Sequence, residues 1–355
     1  MPLPQVADSS DRRETRPRSL KMDHKFGHRP TPKNIMSTRD QRRPESETLV
    51  LGSHEVESLL SHSPLVDAVA RALRAYSDGS AEAPPRVAAS TPAGLLAAMP
   101  AYLPGVALST KLITVFPGNH ALGRPSHQGL VALFDETDGR LLCLMDAAPI
   151  TAHRTAAVST LSASLLARPE AHIVAILGTG VQARAHLEAL LASGRFDQVR
   201  IAGRHPAPIL SWGHPQVQAS TDFEAAVTGA DVVVCCTNAS SPILALSWLQ
   251  PGCHVISVGS GAELDPPTVG QGAIFVEWRG AVTNPPPAGA VELQGRDPLT
   301  VTELGEVLAD PRRGRDSGDQ ITVFKSTGLG VEDSAAARLL YDAARQRGVG
   351  RTLQW

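Results

Sequence analysis

Aromatic residues are scarce in this chain: Phe, Trp and Tyr together make up 4% of its 355 residues. A core must therefore be built from Ala, Val and Leu, which suits strands alternating with helices. Cysteine is scarce as well. Cys143, Cys235, Cys236 and Cys253 form no C-x-x-C pair, and three of them lie in apolar, strand-like runs. That argues against a disulfide scaffold or a thiolate metal site and for reduced core cysteines in a cytoplasmic protein. No apolar run approaches the ~20 residues of a membrane span, and no signal-peptide apolar region opens the chain. Charge of one sign is missing too. A formal net charge of −2 gives no reason to expect a nucleic acid or an acidic membrane surface as partner. His54, His62, His205 and His214 are scattered without metal-ligand spacing, so no metal is expected.

The chain is long enough for two domains and a sizeable core. Residues 1–47 stand apart, with eleven Lys and Arg against seven Asp and Glu, and few apolar residues. Such a segment buries too little apolar surface to offset its chain entropy. It reads either as a regulatory or targeting tail or as the product of an upstream start, with Met22 or Met36 as the first residue. The expected division is a tail over 1–46, one domain over 47–150 plus 328–355, and a second over 151–327. In the first domain, strands are expected at Glu47–Leu51, Leu95–Tyr102, Ala107–Phe116, Gln128–Asp135 and Leu141–Asp146, mostly antiparallel. Helices are expected at Glu55–Leu60 and Pro64–Ser77.

The second domain opens with an Ala-, Leu- and Ser-rich helix started by Arg154. An apolar strand, His172–Leu177, runs straight into Gly178-x-Gly180-x-x-Ala183, and a helix, Gln182–Ser193, follows. Glycine lets the backbone turn tightly and approach a pyrophosphate, whose charge rests on the free N–H groups at the helix start. Strand before and helix after make this a dinucleotide-binding turn. Further strands at Gln198–Ala202, Asp231–Thr237, Cys253–Val258 and Ala273–Trp278, with a helix at Asp222–Thr228, predict an α/β fold. It is a Rossmann-type doubly wound parallel sheet beside a mostly antiparallel α+β substrate and dimerisation domain. The terminal helix, Glu332–Arg347, is expected to pack back on the first domain. Its Glu332-Asp333 pair reads as acidic residues placed at the positive helix end. After the second strand of the nucleotide fold comes Ala202-Gly203-Arg204-His205, with no carboxylate for a ribose. A guanidinium there pairs with a 2′-phosphate, which favours NADPH over NADH.

These residues, with nine blocks in one order, resemble the ornithine cyclodeaminase/μ-crystallin family over about residues 47–355. The blocks are Pro84–Arg86, Met99–Tyr102, Lys111–Asn119, Pro125–Gln128, Arg154–Ala157, Gly178–Ala183, Glu303–Val307, Val323–Ser326 and Gly330–Asp333. The resemblance implies a homodimer with a substrate cleft beside a nicotinamide. It implies hydride transfer at a carbon bearing both a carboxylate and a nitrogen. Arg86 and Lys111 would hold the substrate carboxylate, with Thr327 beside them. Arg154 would lie between substrate and cofactor. Ser126, His127, Gly178, Gly180, Val181, Gln182, Ala183, Gly203, Arg204, Thr237, Val258 and Ser326 would contact the dinucleotide. Lys111 and Arg154 are the candidate catalytic residues. The need for such cations stands on its own: a planar guanidinium fixes the plane of a carboxylate, and several cations together attract an anionic substrate.

One departure is informative. Ornithine cyclodeaminases carry V-G-G-D after the strand matching Cys253–Val258, and that Asp transfers the proton at the substrate amine. Here the run is Val258-Gly259-Ser260-Gly261-Ala262, and Glu263 or Asp265 would need a loop shift to replace it. The resemblance therefore favours a reductase of cyclic ketimine acids such as Δ1-pyrroline-2-carboxylate or Δ1-piperideine-2-carboxylate. The alternatives are ornithine cyclodeamination, a non-catalytic binder of NADPH and small ligands, and dehydrogenation of an amino acid such as alanine.

Overall fold

The computed structural model describes residues 47–205, 209 and 212–354; the expectation for residues 1–46 lies outside them. Two sheets organise the described residues. The first comprises β1 (Glu47–Leu51), β2 (Val87–Thr91), β3 (Gly94–Leu103), β4 (Ala107–Val115), β5 (His127–Phe134), β6 (Leu141–Asp146) and β15 (Arg351–Gln354). Its order is β15-β1-β6-β5-β4-β3-β2. From β2 to β6 it is an antiparallel meander, and only β1 and β6 pair in parallel. Helix α1 (Ser53–Leu59) packs against β1 and β6, and α2 (His62–Ser77) follows it and packs on other helices. The apolar stripe Leu65, Ala68, Val69, Ala72 and Leu73 is the buried face of α2.

The second sheet is parallel throughout. It comprises β7 (Ile173–Leu177), β8 (Gln198–Ala202), β9 (Val217–Ser220), β10 (Val232–Cys235), β11 (His254–Ser257), β12 (Ala273–Val276), β13 (Val301–Glu303) and β14 (Thr322–Lys325). The order is β13-β12-β14-β11-β10-β7-β8-β9. Strands leave β7 in both directions, through β8 on one side and β10 on the other, so the crevice at the carboxyl ends of β7 and β10 is the ligand position of such a sheet. Val232–Val234, Val255, Ile256 and Phe324 are fully enclosed, as a sheet covered on both faces requires.

The remaining described helices are α3 (Ala147–Leu166), α4 (Val181–Ala192), α5 (Phe223–Val227), α6 (Pro266–Gln271), α7 (Gly280–Thr283), α8 (Leu304–Ala309) and α9 (Gly330–Arg347). Helix α3 starts at Ala147, seven residues earlier than a start at Arg154: the Asp146 side chain accepts the Ala148 N–H and caps it. Arg154 thus sits mid-helix and pairs with Glu332 and Asp333, far away in sequence. Two buried histidines tie α3 to its neighbours. His186 Nδ1 donates to the Gln182 carbonyl at 2.7 Å, so its Nε2 accepts from Ser159 Oγ at 2.8 Å. His254 bonds Ser162 and Thr322. Burial lowers the His186 pKa to about 4 and that of His254 to about 3, so both are neutral at pH 7.

The terminal helix α9 does return to the first sheet: Ser334 Oγ lies 2.7 Å from Ser109 Oγ of β4. The end of this helix is set by Gly348, whose φ of 65° is left-handed. Strands β9, β13, β14 and β15 were not legible as strands. Each has three or four residues, too few for a period to show. Among the described residues, no helix is long and apolar enough to cross a membrane.

Candidate active site

The glycine turn shows why Gly178 and Gly203 are needed. Gly178 follows β7 with φ +132°, and a Cβ there would stand 2.6 Å from the Cys236 carbonyl oxygen. Its N–H donates to Ala202 O at 2.8 Å. A Cβ on Gly203 would come within 2.4 Å of Thr179 Cγ2. In front of Gly180 nothing lies within 4 Å of a would-be Cβ, and Gly180 caps α4 without a side-chain acceptor. The first amides of α4 therefore have no side-chain cap and no partner from the helix itself, a ready anion site. Val181 is 74% exposed there, while Ala183 is buried against the sheet and the Gln182 amide oxygen is enclosed without a partner. Arg204 and His205 are exposed just past β8, and β8 pairs β7 in parallel through Leu177 and Ala202. Open space, uncapped amides and a neighbouring guanidinium fit a dinucleotide.

Thr237, Val258 and Ser326 follow β10, β11 and β14, adjacent strands of the same edge. Behind them lies a buried network that the sequence did not disclose. Glu263, fully enclosed, accepts from Thr237 N at 2.6 Å, Thr237 Oγ1 at 2.8 Å, Ser257 Oγ at 2.7 Å and Gly259 N at 2.9 Å. Lys325 Nζ donates to Ser257 Oγ and Gly259 O, each at 2.9 Å, and pairs with Glu292 at 2.9 Å. Glu263 is thus a brace for the loops after β10 and β11. Asp265 caps α6 through the Thr268 N–H. A Cβ on Gly261 would lie 2.0 Å from the Ala239 carbonyl oxygen, so that position takes no side chain unless residue 239 moves.

The cations expected to hold a carboxylate do come together. Lys111, on β4, is 2% exposed and lies 2.9 Å from an Asp333 carboxylate oxygen. Arg154, on α3, donates from Nη1 to Glu332 at 2.8 Å, with Nε 3.4 Å from Asp333. Its guanidinium packs against Gly328, where φ is +75° and a Cβ would stand 2.7 Å from Nη1. Arg86, just before β2, donates from Nη2 to the carbonyls of Thr327 and Gly328, the latter at 3.0 Å. The segment 326–328 is held by buried Glu277, which accepts from Ser326 Oγ, from Thr327 N at 3.0 Å and from Gly328 N at 3.3 Å. Trp278 donates to Thr327 Oγ1 at 2.9 Å.

Three cations and three carboxylates therefore share one buried site. Burial, together with the nearby Arg154 and Arg86, lowers Lys111 to about 8 against the pull of Asp333. Burial pushes Glu332 up to about 8, against the pull of Arg154 and helped by Glu277 and Asp333. Burial disfavours the Arg154 charge, but Glu332, Asp333 and Glu277 outweigh it and raise its pKa. Glu332 and Asp333 do lie in the first turn of α9. Their partners are Arg154 and Lys111, a role that the helix-dipole reading missed. Ser126 and His127 stand on the other sheet, at the head of β5, with Ser126 Oγ 2.9 Å from His127 Nδ1. His127 lines a surface groove with Leu130, Leu144 and Asp146.

The profile of the ornithine cyclodeaminase/mu-crystallin family matches residues 46–348. The chain is 38% identical over 307 residues to the mouse ketimine reductase mu-crystallin, covering 82% of this chain and 96% of the relative. It superposes on a Thermococcus litoralis Δ1-pyrroline-2-carboxylate reductase, solved with NADH and L-proline. The TM-score is 0.81 at 29% identity, over 86% of this chain and 100% of that one. An archaeal alanine dehydrogenase dimer with bound NAD superposes with a TM-score of 0.76 at 31% identity, over 87% and 100% of the two chains.

Proposed function

The chain belongs to the ornithine cyclodeaminase/mu-crystallin family, and from that premise we propose that it reduces cyclic ketimine carboxylates with NADPH. It is an NAD(P)-dependent oxidoreductase acting on imines; the substrate and the preferred cofactor are the finer reading. The products would be L-proline from Δ1-pyrroline-2-carboxylate and L-pipecolate from Δ1-piperideine-2-carboxylate. The observation that carries this reading is the convergence of Arg86 and Arg154 on residues 327–328, with Lys111 beside them on Asp333.

The glycine turn, Arg204, Thr237, Val258 and Ser326 would hold the dinucleotide. Bound there, a reduced nicotinamide would supply the hydride that an imine carbon accepts. Arg86 and Lys111 fix the substrate carboxylate, with Thr327 beside them, and so fix the plane of the C=N bond. Arg154, held by Glu332, Asp333 and the close contact of Gly328, keeps its charge beside that anion. The amine product needs one proton, which Lys111 or a water held by it supplies, since a lysine with a pKa near 8 gives up a proton readily at neutral pH. Reduction needs no carboxylate at position 261. Cyclodeamination does, and there the backbone closes the position while Glu263 and Asp265 are engaged elsewhere.

The exposed Arg204 supports NADPH. We read residues 47–150 with 328–355 as the substrate and dimerisation domain and 151–327 as the dinucleotide domain. The outward face of the first sheet, with Leu96 at 47% and Leu108 at 42% exposed beside Tyr102, supports a homodimer through that face. Four buried free thiols suit the cytoplasm. The direct test follows NADPH absorbance with chemically generated Δ1-pyrroline-2-carboxylate, beside L-ornithine with NAD. NADPH loss with proline formed supports the reading. Ammonia and proline from ornithine, with no net change in cofactor, would replace it with cyclodeamination.

A further inference from the structure

Three side chains outside the reaction site converge where α2, α3 and α4 meet. His62 opens α2, His153 lies on α3 directly before Arg154, and Glu188 lies on α4. One ligand atom from each, a ring nitrogen of either histidine and a carboxylate oxygen of Glu188, lies within 4.8 Å of the other two. All three residues are half-buried. The two rings have centroids 5.6 Å apart and are tilted by 52°, so they do not stack face to face. The His153 Nδ1 atom is enclosed with no hydrogen-bond partner, and leaving a buried polar atom in that state is costly. The Arg184 ion pair, at 2.9 Å from Glu188 Oε1, is a surface i,i+4 pair that holds the carboxylate only weakly.

We propose that His62, His153 and Glu188 bind a divalent transition metal of the zinc type, with water as a further ligand. Two imidazoles and one carboxylate are the donors of zinc, cobalt and nickel; magnesium and calcium take oxygen. A tetrahedral ion with bonds of about 2.1 Å separates its ligand atoms by roughly 3.4 Å. The trio would therefore draw together by at most roughly 1.4 Å, which side-chain rotation on three helices supplies. The donors come from the first turn of α2, the middle of α3 and the helix that opens at the glycine turn. They meet only when those helices are packed, so the metal acts as a clamp on the folded chain.

The test uses the full chain, without an affinity tag, stripped by chelator and then titrated with Zn²⁺ or Co²⁺. The expected result is one metal per chain, visible absorption from tetrahedral Co²⁺, and a Zn²⁺-dependent rise in melting temperature. His62→Ala and Glu188→Gln should each weaken binding at least about tenfold, or 1.4 kcal/mol, and abolish that rise. If His62→Ala does not fold, Glu188→Gln decides alone. Binding below stoichiometry, or unchanged affinity in Glu188→Gln, would overturn the site and leave a hydrogen-bonded trio without metal.

Discussion

Replacing Asp333 by Asn removes one carboxylate from the buried cluster without changing its shape. Breaking a buried ion pair ordinarily costs about 3–5 kcal/mol. Here one partner has an escape. Lys111 has a pKa lowered from 10.5 to about 8, so at pH 7 its neutral form lies only about 1.4 kcal/mol above the charged one. Once Asp333 is gone the proton leaves, and the Lys111 share of the loss is capped near that value. Arg154 has no such escape, but it keeps Glu332 at 2.8 Å. The expected loss at pH 7 is therefore roughly 1.5–3 kcal/mol, below the usual range for a broken pair.

The pH dependence separates this account from a generic packing defect. In the parent protein, Lys111 is protonated in both folded and unfolded states below pH 8, so it adds no slope there. Between pH 8 and 10.5 the unfolded chain binds more protons, so stability rises with pH. In Asp333→Asn the folded lysine is neutral near pH 7. The gap from the parent then widens by about 1.4 kcal/mol for each unit that pH falls below 8, until the folded lysine regains its proton. Above pH 8 the gap narrows to the Arg154 share. Urea unfolding at pH 6, 7 and 9 reads this. On the same imine substrate, the alkaline fall of kcat/KM should move from near pH 8 to below pH 7. A stability gap independent of pH, or an unmoved alkaline limb, would refute the reasoning.

Arg86→Ala should raise KM for the imine acid by roughly 30-fold or more, as expected for a lost charge-assisted contact of about 2 kcal/mol, with NADPH affinity unchanged; equal KM values would remove Arg86 from the carboxylate. Arg204→Ser should weaken NADPH roughly tenfold or more and leave NADH within about twofold, and parallel losses for both cofactors would count against a 2′-phosphate contact. Gly178→Ala forces a side chain into a φ of +132° beside the Cys236 carbonyl, so cofactor binding and melting temperature should fall together by at least ~1–2 kcal/mol; a silent substitution would contradict the turn. Neutral His186 and His254 both have pKa values lowered by burial to about 4 and about 3. Stability present above pH 6.5 should therefore fall as pH drops, by roughly 4 kcal/mol in total at pH 5, and a flat stability curve between pH 6.5 and 5 would contradict it.

The glycine turn was legible because its constraint is local: a strand, two glycines and a helix are neighbours in sequence, and the backbone clash that forbids a Cβ lies one strand away. Arg86, Lys111 and Arg154 were legible through the family resemblance, and spacing alone did not distinguish them from surface cations. What the sequence hid are the partners. Glu277, Glu332 and Asp333 lie 123–179 residues from Arg154 and meet it only because α9 returns to the first sheet and β12 ends beside β14. The misplacement of Arg154 at a helix start has a similar cause. Asp146, the true cap, ends a strand and gives no break before the alanine-rich run. The expectation of no metal rested on the scatter of His54, His62, His205 and His214; sequence spacing could not show that three helices bring His62, His153 and Glu188 to within 4.8 Å.

The most direct test of the central claim is the fate of a label. The protein would be given Δ1-pyrroline-2-carboxylate and NADPH carrying deuterium at the transferable nicotinamide position, and the proline examined by NMR and mass spectrometry. The account predicts L-proline with one deuterium, bound to the carbon that carries the carboxylate. Proline without label there, or no proline while L-ornithine is turned over with no net change in NAD, would contradict it.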